Sequence, residues 1–121
     1  ETMVEKELNR IYDNLRRANA KGVLLTIGSD SFNSRTTPYG ETTIGELYAF
    51  VEKVGISEMD TIVAATINGA KVLRVDDITG SLEPRKSADL LVINGNPLEN
   101  IRDLTIDNME VIMKEGIFVR E

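Results

Sequence analysis

Val23-Leu24-Leu25-Thr26-Ile27 is a short, β-branched-rich run without polar alternation, and it constrains the chain more than any other feature. A strand with one solvated face alternates apolar and polar residues, whereas a run like this needs cover on both faces, as in a parallel strand flanked by helices. An α/β architecture with this run as a core strand is therefore expected. The preceding segment supplies one cover. Val4, Leu8, Ile11, Leu15 and Ala18 recur at spacings of four, three, four and three, which predicts a helix from about Thr2 to Ala20, closed by Gly22. Its other face carries Glu5, Lys6, Asn9, Arg10, Asp13, Arg16 and Arg17 and reads as a solvated surface with an Asp13 to Arg17 ion pair.

Past the strand, Gly28-Ser29-Asp30-Ser31 opens a polar stretch, and Pro38 and Gly40 interrupt any periodicity up to Thr43, as in a loop. Thr43 and Glu46 have the spacing of a reciprocal capping box, so a second helix is expected from Thr43 to Val54, with Ile44, Leu47, Tyr48, Val51 and Val54 on one face and Gly55 ending it. Ser57 should cap a third helix whose inward face is Met59, Ile62, Val63 and Thr66. Asn68 should cap a last short turn carrying Ala70, Val72 and Leu73. From Asp76 the period changes. Gly80, Pro84, Gly95, Pro97 and Gly116 punctuate the extended runs Leu90 to Ile93, Val111 to Met113 and Ile117 to Val119, with Lys114-Glu115-Gly116 as a tight hairpin turn.

The inventory of side chains removes several function classes. With 20 acidic against 14 basic residues in 121, the chain carries a formal charge of −6, the wrong sign for a general phosphate-backbone binder. Cysteine is absent, which excludes disulfides and thiolate metal sites and fits a cytoplasmic setting. No apolar run approaches the roughly 20 residues of a membrane helix, no basic-then-apolar leader opens the chain, and no membrane partner is expected. The opening Glu1-Thr2-Met3, running straight into a helical pattern, reads as an excised segment. Histidine is absent too, so Ser29 and Ser31 have no imidazole base, and no glycine-rich phosphate loop with lysine occurs.

An aspartate at the C-terminal end of a buried parallel strand occupies the place where α/β barrels put catalytic groups, and Asp30 is that candidate. The same position also suits a turn former or helix cap, and spacing alone leaves both readings open.

Gly28-Ser29-Asp30 is joined downstream by Ala64-Ala65-Thr66-Ile67-Asn68-Gly69-Ala70, Gly80-Ser81-Leu82-Glu83-Pro84, Lys86-Ser87-Ala88-Asp89-Leu90-Leu91-Val92 and Gly95-Asn96-Pro97-Leu98-Glu99-Asn100-Ile101, and then by the closing hairpin. In this order the stretches resemble the C-terminal part of the amidohydrolase superfamily, nearest its imidazolonepropionase-like and related dipeptidase branch. The resemblance implies that residues 1–75 are the end of a (β/α)₈ metal-dependent hydrolase barrel, with helix seven from Thr2 to Ala20, strand eight from Val23 to Ile27 and helix eight from Thr43 to Val54. Residues 76–121 would be the C-terminal share of a small β-sandwich.

On the same resemblance Asp30 is the strand-eight aspartate, a metal ligand in the complete barrel that takes a proton from the activated water and later helps protonate the leaving amine. Such an enzyme hydrolyses a C–N bond in a cyclic amide or a dipeptide-like small molecule with a divalent metal, zinc by the family's habit. The metal is held chiefly by histidines after earlier strands, none of which lies in this chain. A hydrolytic zinc site uses about three protein ligands, so the isolated chain is expected to bind no metal and to be inactive. Two departures stand out. Tyr39-Gly40 occupies a place where relatives often have His-Gly, leaving Arg35 and Tyr39 as substrate-loop candidates against the reading of a plain surface loop. Arg85 stands between Pro84 and Lys86 where the family usually has glycine. Gly80 and Gly95 read as turn formers, and Asp89 as a backbone hydrogen bonder at a strand start.

The alternative class is a noncatalytic association module with an amidohydrolase-like end, in which Asp30 is only a loop residue. The hydrolase reading requires about 250 or more upstream residues. The partner expected first is the rest of that chain. Strand edges and helix faces shaped to meet it should also drive homo-oligomers, with no role for nucleic acid.

Overall fold

Amphipathic periodicity and capping chemistry account for most of the helices. The computed structural model describes residues 2–30 and 40–120. Helix α1 spans Met3–Ala20, and its start is a capping box in which Thr2 Oγ1 accepts from Glu5 N and Glu5 Oε2 accepts from Thr2 N. Helix α2 spans Glu41–Ala49 and runs into a π-helical turn, Phe50–Val54. There Gly55 (φ 82°) reverses the chain, and the Ile56 amide returns to the Phe50 carbonyl at 3.0 Å. Helix α3, Glu58–Ala65, begins at Ser57, whose Oγ accepts from Asp60 N. Helix α4, Ile67–Leu73, follows after a break at Thr66.

The core lies where these helices meet. Phe50, Val54, Ile56 and Ala64 are buried together, and Tyr12 and Leu15 of α1 pack on them with Leu25 and Ile27. Arg16 fixes α1 to the end of the π-helical turn by donating from Nε to the Val54 carbonyl at 3.1 Å and from Nη2 to that of Lys53, two of the carbonyls a helix end leaves without partners. The ion pair on this face joins Asp13 to Arg16, three residues on, instead of the expected Arg17. Only the C-terminal half of the α1 stripe is used: Leu15 and Ala18 are half-buried, while Val4, Leu8 and Ile11 remain exposed.

The tail is one antiparallel sheet in the order β1-β2-β3, from Leu90–Ile93, Met109–Lys114 and Ile117–Arg120. Leu90 faces Met113 and Lys114 faces Ile117, with one irregularity in each pairing. The β2–β3 connection is the expected tight turn, and both central residues take positive φ, 53° at Glu115 and 78° at Gly116, as a two-residue turn matched to strand twist requires. Asp89 ties this turn to the start of β1. Its Oδ1 accepts from Glu115 N at 2.8 Å and Lys114 Nζ at 3.0 Å, and its Oδ2 from Thr79 Oγ1 at 2.8 Å. A 3₁₀ turn at Ile101–Asp103 docks the tail on α2 and its π-helical turn: Arg102 makes a two-pronged pair with Glu52, 2.6 and 2.7 Å, and stacks 4.2 Å over the Tyr48 ring, whose hydroxyl donates to the Leu104 carbonyl at 2.7 Å.

Residues 23–27 pair with no strand among the described residues, and Val23 and Leu24 are 53% and 51% exposed, so the expected strand has no neighbour here to pair with. Three local expectations are corrected. Helix α2 starts at Glu41 from Gly40 (φ 90°), two residues before Thr43, so Thr43 and Glu46 form no capping box and their side chains are turned to other partners. Helix α3 buries Thr61 and Ala64 while Met59 is exposed, because its neighbours lie on that side of the helix. Asn68 sits inside α4, whose first flanking residue is Thr66.

Gly80 and Arg85 show what positive φ demands. At Gly80 (φ 92°) a Cβ would lie 2.7 Å from Ala70 Cβ and 3.1 Å from Ile67 Cα, so no side chain fits. Arg85 holds φ 74° with a side chain exposed to solvent, and the turn that glycine would ease is still made. The left-handed region costs such a residue about 1–2 kcal/mol, of which glycine's greater unfolded freedom returns about 0.5–1 kcal/mol. Arg85→Gly should therefore raise stability by roughly 0.5 kcal/mol, read as a higher urea midpoint with an unchanged slope.

The Glu115 amide, the Thr79 hydroxyl and the Lys114 ammonium together hold the Asp89 carboxyl far below the usual carboxylate range. A depressed folded value means that the stabilisation is present above the unfolded value of about 3.9 and is lost as pH falls from there toward the folded value. Asp89→Asn should unfold at lower urea than the parent at pH 7, and the gap should narrow below about pH 4. An equal gap at pH 7 and pH 3 would contradict this.

Candidate functional site

Among the described residues, the contacts that position residues 23–30 come from helices. The Ile27 amide donates to the Ala64 carbonyl at 3.3 Å, Thr26 Oγ1 donates to the same carbonyl at 3.1 Å, and Asn68 Nδ2 donates to the Leu25 carbonyl at 2.9 Å. Ala64 and Asn68 reach the segment from either side of the break at Thr66, where the backbone leaves helical geometry (φ −123°, ψ −94°). Thr26 Oγ1 also lies 3.3 Å from where a Cβ on Gly69 would stand, so the glycine lets α4 approach closely.

Farther along, α2 takes over. The Gly28 amide donates to Glu46 Oε2 at 3.1 Å, and Ser29 Oγ lies 3.1 Å from Thr43 Oγ1. Burial raises the Glu46 carboxyl above its ordinary value, partly offset by the Gly28 hydrogen bond. Asp30 ends the segment, exposed, with φ 46°. A positive φ is uncommon in a residue with a side chain, although aspartate is among those that tolerate it.

Of the residues singled out from sequence, Asp30 is thus held at the end of a pinned segment, and Arg35 and Tyr39 lie outside the described residues. The roles of Thr43, Glu46 and Asn68 were not legible in the sequence. Thr43 and Glu46 have the spacing of a capping box, and Asn68 has the residue type of a cap, so each has a local explanation that hides its long-range contact.

The chain has no histidine or cysteine, and among the described residues no three acidic side chains come together in a way that could hold an ion. A cleft of about 250 Å³ opens beside residues 22–25, lined by Val23, Leu24, Ile56, Asp60, Val63 and Asn68; Asp30 is not part of it. No helix among the described residues is long and apolar enough to cross a membrane.

The fold and sequence have known counterparts. The structure superimposes on a Xaa-Pro dipeptidase with bound methionine at a TM-score of 0.78 and 35% identity, over 92% of this chain and 26% of that one. It also matches a putative prolidase from Bifidobacterium longum at a TM-score of 0.77 and 37% identity, over 88% of this chain and 25% of that one. Among curated proteins, the imidazolonepropionase of Picrophilus torridus is 38% identical over 72% of this chain and 21% of its own length. The guanine deaminase of Escherichia coli is 33% identical over 74% of this chain and 21% of its own. The chain thus spans about a fifth of these curated relatives and about a quarter of the solved ones. Residues 5–118, nearly the whole sequence, match the profile of the Amidohydrolase family, and the chain belongs to that family.

Proposed function

We propose that this chain is the C-terminal segment of a metal-dependent amidohydrolase that hydrolyses a C–N bond, in which Asp30 is the catalytic carboxylate. The observation that carries the reading is the placement of Asp30: an exposed carboxylate, in an uncommon backbone conformation, at the end of a segment fixed by hydrogen bonds from three helices. Strained backbone at an otherwise well-held position is characteristic of sites where geometry matters more than stability. On this reading residues 23–27 are the last strand of a (β/α)₈ barrel whose neighbouring strands lie elsewhere in the parent, which accounts for an apolar run with no strand partner among the described residues. The β1-β2-β3 sheet is a share of a small β-sandwich.

The chemistry assigned to Asp30 is proton transfer. As water attacks the carbonyl carbon, an Asp30 oxygen takes its proton, and the same carboxyl then gives a proton to the nitrogen as the C–N bond breaks. The substrate class is a cyclic amide or dipeptide-like amide, suggested by relatives named imidazolonepropionase and Xaa-Pro dipeptidase. The family is generally metal-dependent, and a divalent ion, zinc in our reading, would be held mainly by ligands outside this chain. A cytoplasmic enzyme and a homo-oligomer belong to the same proposal, the latter supported by the exposed apolar residues Val4, Leu8 and Ile11 on α1 and Ile117 and Val119 on β3.

The test compares the full-length natural protein, its Asp30→Ala variant and the 121-residue segment for divalent-metal content and for turnover of cyclic amides and dipeptides. The full-length protein should bind metal and turn over a substrate, Asp30→Ala should lose roughly 10²–10⁴-fold in kcat, and the segment should do neither. Full activity in Asp30→Ala would sink the catalytic assignment. A natural protein no longer than this chain would leave association as its role.

A further inference from the structure

We propose that Glu46, assisted by Thr43, is a positioning residue for Asp30; the inference rests on the catalytic reading of Asp30 given above. Thr43 and Glu46 are three residues apart on α2, so they project from one face of one helix. Both reach the two residues that immediately precede Asp30: Glu46 Oε2 accepts the Gly28 amide at 3.1 Å, and Thr43 Oγ1 meets Ser29 Oγ at 3.1 Å. One contact holds the backbone and the other holds a side chain, so the turn is fixed at two successive residues.

The helix carrying them is itself immobilised. Leu47, next to Glu46, is buried, and so is Phe50 in the turn that continues α2, where it belongs to the main core cluster. A displacement of α2 would therefore disturb the core, and the core in turn sets where Gly28 and Ser29 sit. A carboxylate accepting from a backbone amide makes a charge-assisted bond, stronger than one between neutral groups. Asp30 has φ 46°, a conformation uncommon in a residue with a side chain, and contacts that hold the residues before it help keep it there. The clamp from α2 supplies such contacts on its N-terminal side. Released from it, Asp30 would relax toward negative φ and its carboxylate would swing away from the place the proton transfer needs.

The arrangement also gives Glu46 a reason to be where it is. Its carboxylate is partly buried at a cost, and its described partner is the Gly28 amide, so the side chain is committed to the turn and not to capping its own helix.

The experiment uses the full-length enzyme with the variants Glu46→Ala, Glu46→Gln, Thr43→Ala and Asp30→Ala, each checked for folding by circular dichroism. Glu46→Ala should lower kcat by about 10- to 100-fold, the scale of a displacement of about 1 Å at a catalytic group, with KM changed less than about threefold. Glu46→Gln, whose side-chain oxygen can still accept from Gly28, should recover kcat to within about threefold of the parent, and Thr43→Ala should fall between the two. Hydrogen exchange in a peptide covering residues 23–30 should speed up in Glu46→Ala and not in Glu46→Gln. Unchanged kcat in Glu46→Ala, an equal loss in the glutamine variant, or a loss that only follows the folded fraction would overturn the proposal. Asp30→Ala separates the two layers: if it is dead while Glu46→Ala is fully active, positioning alone fails, and if it too is active, the assignment of Asp30 fails with it.

Discussion

Had residues 58–73 formed one continuous helix, the Ala64 carbonyl would have accepted the Asn68 amide four residues on. The break at Thr66 prevents this, and the rest of the site depends on it. A helix end leaves its last carbonyls without partners inside the helix. Here the Ala64 carbonyl is used by Ile27 N and Thr26 Oγ1. The start of the next helix turns Asn68 back on the same segment, where it satisfies the Leu25 carbonyl. Two short helices thus act as a substitute for one side of a sheet. They hold an apolar segment that has no strand neighbour among the described residues and set the direction in which Asp30 leaves it. The close approach at Gly69 belongs to the same solution, since a methyl group there would press on Thr26.

How much of this could be read from the residues depends on the range of the interaction. Helix α1 is a matter of period and of local caps, and the stripe from Val4 to Ala18 announced it. The same holds for Ser57 at the start of α3 and for the Glu115-Gly116 turn, where residue type and conformation agree. The choice of buried face on α3 was not local. Met59 and Thr61 both fit an amphipathic pattern, and only the placement of the neighbouring elements, with Ala64 packed on Phe50 and Ile56, decides that the Thr61 and Ala64 side goes inside. Thr43, Glu46 and Asn68 are hidden for the opposite reason: each also has a complete local role as a cap. Gly40, at φ 90°, starts α2 earlier than Thr43 and leaves both side chains available for the segment across from them.

Asp30 is the intermediate case. The residue order around it pointed to a catalytic aspartate, and its backbone conformation, which no sequence pattern encodes, supplies a physical reason to treat the position as special. Arg85 shows a similar backbone angle without any sign of function. What distinguishes the two is the company each keeps. Asp30 follows a segment held by three helices, whereas Arg85 lies in an exposed turn between Pro84 and Lys86.

The junction between α2 and the tail bears on how the chain responds to salt. Arg102 reaches Glu52 and Tyr48 across a sequence separation of 50 residues for the ion pair, and Ile101 beside it is 2% exposed. Around Arg102 the contacts are polar: a solvent-exposed guanidinium fork and one phenol-to-carbonyl bond. Exposed ion pairs weaken as salt screens them, while apolar cores do not. The polar contacts around Arg102 are therefore the part of this junction that salt weakens, while buried Ile101 and the close packing of Gly80 on Ala70 hold the tail to the helices at any ionic strength.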